Sequence, residues 1–136
     1  MSGPPFTVIT AANTTNAFPA GPLRPNLVAD PQLPVAERTL AQWFNTAAFV
    51  NPAPFTFGNS PRSVLRGPNR VTTDMTVEKS IGLSTEKRLD VRVEVYNLLN
   101  RTNYDLPNRT YGTANFGRIF SAKSPREMQI GARLTF

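Results

Sequence analysis

The chain has 136 residues, 15 of them Lys or Arg against 9 Asp or Glu, for a net charge of +6. It contains no cysteine and no histidine, which removes disulfides, thiolate metal sites, cysteine nucleophiles and the commonest general base. Charged residues make up 18%, below the roughly 25% usual in soluble globular domains, and the arginines from Arg62 to Arg133 are scattered without the cluster that nucleic-acid binding uses. No nucleic-acid partner is expected. No run of about 18 apolar residues supplies a transmembrane helix. The start, Met1-Ser2-Gly3-Pro4-Pro5, has neither the basic nor the apolar region of an export signal.

Residues 1–70 keep no sustained period, because prolines from Pro4 through Pro19, Pro34 and Pro54 to Pro68 interrupt every candidate element. A strand end is expected at residues 6–9. A short helical turn is expected at residues 37–44, where Leu40, Trp43 and Phe44 share a face. The remainder reads as a long loop pinned by Phe49, Phe55 and Phe57, with Trp43 and Phe44 expected to anchor it rather than to bind ligand.

From residue 71 the pattern turns to period two. In residues 86–97, Leu89, Val91, Val93 and Val95 alternate with Arg88, Asp90, Arg92, Glu94 and Tyr96, which is a strong strand signal. Residues 127–136 repeat it, with Met128, Ile130, Ala132, Leu134 and Phe136 on one side. A weaker strand is expected at residues 71–81, its apolar face interrupted by Lys79. A short turn joins the first two strands, and a loop at 98–126 rich in Asn, Gly, Arg and Tyr joins the next two. Asn97, Asn100 and Asn103 are expected to make Asx-type turns where strand becomes loop.

Alternation alone fits a soluble sandwich too. Charges set opposite an unbroken aliphatic row suit a sheet with hydrocarbon on one side and a wet lumen on the other. The expected fold is therefore all-β: a partial antiparallel transmembrane β-barrel of about three strands preceded by a long irregular extracellular loop. Asp90, Arg92, Glu94, Tyr96 and Arg133 are expected to face the lumen, where alternating charges pair across strands. No nucleophile elbow or zinc motif is present, so no catalytic residue, cofactor or metal is expected.

Two sets of residues carry a family resemblance. Gln129, Gly131, Leu134 and Phe136 fill the specified places of a pattern that resembles the C-terminal assembly signal of outer-membrane barrels. Leu65-Arg66-Gly67-Pro68-Asn69, Asp74, the run VRVEVYNLLN at 91–100, Asn103-Tyr104, Asn115-Phe116-Gly117-Arg118-Ile119 and Ser124–Gln129 follow in an order similar to the end of TonB-dependent receptors, especially the large Oar-like proteins with a carboxypeptidase-regulatory-like domain. Glu78 and Tyr96 depart mildly from that pattern. The resemblance implies an outer-membrane location in a Gram-negative-type bacterium, solute uptake, a periplasmic turn at 82–85 and extracellular segments at 1–70 and 98–127. It also implies outer-membrane lipid, the barrel assembly machinery, the rest of the barrel and its plug as partners, with TonB reached only through that plug. With three strands and no plug, the expectation is a C-terminal fragment that does not transport alone; a small soluble β-rich binding or structural module is the alternative.

Overall fold

The computed structural model describes residues 3–16 and 22–136. Pro19, and the Met1-Ser2 start of the export-signal reading, lie outside them. In chain order the strands are β1 Pro5–Phe6, β2 Ile9–Thr10, β3 Asn26–Leu27, β4 Phe49–Val50, β5 Leu65–Arg66, β6 Met75–Gly82, β7 Arg88–Tyr96, β8 Thr110–Tyr111 and β9 Glu127–Thr135. Short 3-10 turns occupy Val35–Glu37 and Thr46–Ala48.

These strands pair as four separate sheets. β1 joins β5 and β3 joins β4, both antiparallel; β2 joins β8 in parallel; and β6-β7-β9 make one antiparallel sheet of three. The expected partial barrel is thereby corrected. Among the described residues none of the sheets closes, and β6 and β9 each have a single neighbour. Three strands cannot curl far enough to meet, since the smallest barrels have about eight.

The long irregular loop is corrected as well. The chain divides into one unit of Met1–Asn69 with Tyr104–Ser121 and a second of Arg70–Asn103 with Ala122–Phe136. The first unit has a core of Phe6, Val8, Phe44, Ala48, Phe49 and Leu65, against which Leu27, Trp43, Val64, Tyr111 and Phe116 pack. Phe116 sits edge-on to Phe44, Phe49 and Tyr111, with centroids 5.1, 5.8 and 5.4 Å away. That geometry suits the quadrupole of aromatic rings. Gly117, at φ +83°, lets the chain turn beneath Phe44, where a Cβ would lie 2.6 Å from Thr46. Segments read separately as two loops thus share one apolar core.

The 3-10 turn ends at Glu37, and residues 38–44 continue it as no helix. Thr39 and Gln42 bond each other's backbone in a tight turn at 2.9 and 3.2 Å, and the Trp43 N–H donates to the Gly117 carbonyl at 3.0 Å. The backbone groups a helix needs are engaged elsewhere. Phe44 is buried in the core while Leu40 remains exposed.

Candidate functional site

The three-stranded sheet carries the residues singled out from the sequence. Its register sets Met75, Val77, Lys79 and Ile81 opposite Val95, Val93, Val91 and Leu89. On the other side of β7, Leu89, Val91, Val93 and Val95 face Leu134, Ala132, Ile130 and Met128. Directly opposed residues share a face, so one side of the sheet is aliphatic except for Lys79. The reverse side holds Thr76, Glu78, Ser80, Arg88, Asp90, Arg92, Glu94, Tyr96, Gln129 and Arg133. β7 and β9 are nine residues each, within the roughly 9–11 of a tilted transmembrane strand.

Charges on the polar side neutralise one another locally. Asp90 accepts from the Ser80 hydroxyl at 2.5 Å and from Arg88 Nε at 3.1 Å, and lies opposite Arg133. Glu94 pairs with Arg92, accepts from the Gln129 amide, and receives the Tyr96 hydroxyl at 3.4 Å. Asp90, Arg92, Glu94, Tyr96 and Arg133 thus share one face, with Arg92, Glu94 and Tyr96 in one contact group and Asp90, opposite Arg133, in another. Of the four residues that match the assembly-signal pattern, Gln129 and Gly131 lie on this face. Leu134 lies on the aliphatic one, and Phe136 follows the strand. A Cβ added at Gly131 would meet nothing within 4 Å.

The end of the sheet is tied by asparagines whose reach exceeds a local turn. Asn97 is buried and takes a left-handed backbone at φ 52°, which Asn tolerates better than most residues. Its N–H donates to Asp74 at 2.9 Å; its side chain bonds both the N–H and the carbonyl of Arg101, each at 3.0 Å. Asn103, also buried, bonds the Val71 N–H at 2.8 Å and the Val71 carbonyl at 3.1 Å. Asn100 accepts from the Arg126 N–H at 3.1 Å. Residues 71–74, expected to be strand, are held by this clasp instead, and the ladder begins at Met75. The three-residue spacing of the asparagines was visible in the sequence, but the partners at 71, 74 and 126 were not.

Among the described residues no group of three Cys, His, Asp or Glu side chains could hold a metal. No curated protein and no solved structure gives a significant match to the chain. Residues 1–129 match the outer membrane beta barrel domain, a barrel domain and not an enzyme. With most of its length covered by that match, and with a two-faced antiparallel sheet at its end, the chain belongs to the outer membrane beta barrel domain family.

Proposed function

We propose that this chain is a small β-rich binding or structural module of an outer-membrane protein, with the aliphatic side of its three-stranded sheet turned to lipid. The observation that carries this reading is the uncovered aliphatic face, exposed along β6 and β9. In water such a face would be costly, whereas lipid accepts it. Family membership supports an outer-membrane location.

The finer reading is a TonB-dependent receptor of the Oar-like kind, with this chain supplying wall and outer segments for solute uptake. The ordered motifs from Leu65 to Gln129 support it. Asp90, Arg92, Glu94, Tyr96 and Arg133 would then face the lumen, and Gln129, Gly131, Leu134 and Phe136 would be recognised by the assembly machinery. An open reading frame continuing upstream into more alternating strands and a plug is the expected finding; a frame lacking them would count against this receptor reading.

The aliphatic face is tested directly. The chain has no native cysteine, so single cysteines at Val93, Ile130, Arg92 and Gln129 can each carry a fluorophore in lipid vesicles. Labels at Val93 and Ile130 should be quenched from the lipid phase, and those at Arg92 and Gln129 from water. Equal aqueous quenching on both faces would refute a lipid-facing sheet. The alternative, a small β-rich binding or structural module that stands without lipid, draws specific support from the self-contained aromatic core of the first unit. It requires a well-dispersed amide spectrum for the whole chain in plain buffer.

A further inference from the structure

A cavity of about 430 Å³ lies wholly within the first unit, in the size range of small-molecule sites. Phe44 and Leu65 give it an apolar side that continues the core, and the Trp43 ring adds a flat aromatic wall. Arg38 and Arg66 both line it, and no carboxylate does so among the described residues. Neither arginine takes part in an ion pair among those residues. The lining therefore offers an apolar slot with uncompensated positive charge.

Its walls are held in place by contacts that engage one nitrogen of each guanidinium group and leave the other N–H donors for a ligand. The Trp43 indole N–H donates to the Arg66 carbonyl at 2.9 Å, which fixes the ring. The Arg38 guanidinium lies 5.8 Å from the Trp43 ring centroid, and its Nε donates to the Leu33 carbonyl at 2.9 Å. Arg66 is positioned by the β1–β5 pairing and by its Nη1, which donates to the Gly3 carbonyl at 3.4 Å, and the next residue, Gly67, donates its N–H to the Pro4 carbonyl at 2.9 Å. Gly3 closes tightly against this segment, since a Cβ there would lie 2.2 Å from the Gly67 carbonyl. A site whose first contacts are braced in this way loses little freedom when a ligand arrives.

We propose that this cavity binds a small carboxylate with a planar, apolar body, the body against Trp43, Phe44 and Leu65 and the carboxylate on Arg38 and Arg66. Guanidinium groups suit a carboxylate because their N–H donors match its two oxygens. The inference does not depend on the membrane reading, because every residue it uses belongs to the first unit.

Trp43 is the single tryptophan, so the emission of the full chain in detergent micelles reports this wall. Hydrocinnamate is the probe, with its neutral amide and phenethylamine as controls. Hydrocinnamate should change Trp43 emission saturably, the amide should bind about tenfold or more weakly, and phenethylamine should not bind. Partition into micelles favours the uncharged amide and so cannot produce this order. Arg38→Gln should weaken hydrocinnamate about tenfold, and Arg38→Lys should recover part of the loss. The proposal is overturned by an amide that binds as well as the acid, or by no saturable change up to about 10 mM. Unchanged affinity when both arginines are replaced by glutamine overturns it as well.

Discussion

In the unit of residues 1–69 and 104–121, Phe44 and Phe49 are 1% and 2% exposed, whereas in the three-stranded sheet Met128 and Ile130 are 69% and 77% exposed. The first unit has almost no regular secondary structure and a real core. The second has long, regular strands and only Val95, on β7, as a buried aliphatic of its ladder. Backbone pairing and side-chain burial, which usually rise together, are here assigned to different parts of one chain. A sheet with a full ladder and a bare aliphatic side is suited to a medium that does the burying for it.

Breaking the core should have the largest effect. Phe44→Ala is expected to destabilise the first unit by about 3–5 kcal/mol, followed by Trp43 emission in denaturant. Amide protection in β7 should stay unchanged; a matching loss there would show that the two regions unfold as one. Ile130→Arg, near the middle of β9, should cost about 2–4 kcal/mol when the chain is unfolded from lipid vesicles by urea. Gln129→Arg, one residue away on the polar face, should cost far less, and equal costs would remove the distinction between the faces.

Asn103→Ala leaves both backbone groups of Val71 without their partner and should cost about 1–3 kcal/mol. Hydrogen exchange should quicken at Val71 while the β7 amides keep their protection. The smallest change is expected for Arg88→Gln, which removes a surface ion pair with Asp90 and should barely move the midpoint of a urea titration. A larger loss would mean that the polar face is far drier than its exposure implies.

The two regions also differed in how far they could be read in advance. The ladder was legible because alternation over eight or nine residues needs no knowledge of partners, and Leu89 to Val95 show it without a break. The first unit was not, since strands of two residues have no period. Its core is assembled from Phe6, Phe44 and Phe116, which no local window contains. Leu40, Trp43 and Phe44 have helical spacing, but Gly117 takes the Trp43 N–H and only Phe44 turns fully inward. Arg66 read as one of the scattered charges and Arg38 drew no reading at all, yet pairing of β1 with β5 and the Trp43 indole bring both to one cavity.

The asparagine clasp bears on an error that alternation cannot prevent. A hairpin of β6 and β7 that slips by one residue turns its aliphatic row to the wrong face and is rejected on that ground. A slip by two residues restores the faces, and the side chains alone hardly distinguish it from the correct pairing. The bond from the Asn97 N–H to Asp74 forms in one alignment only, and so does the hold of Asn103 on Val71. These contacts act as an index mark at the end of the ladder. Without them the offset would rest on the turn at the far end alone, where the Leu83 and Ser84 N–H groups donate to the Lys87 carbonyl at 2.8 and 3.2 Å.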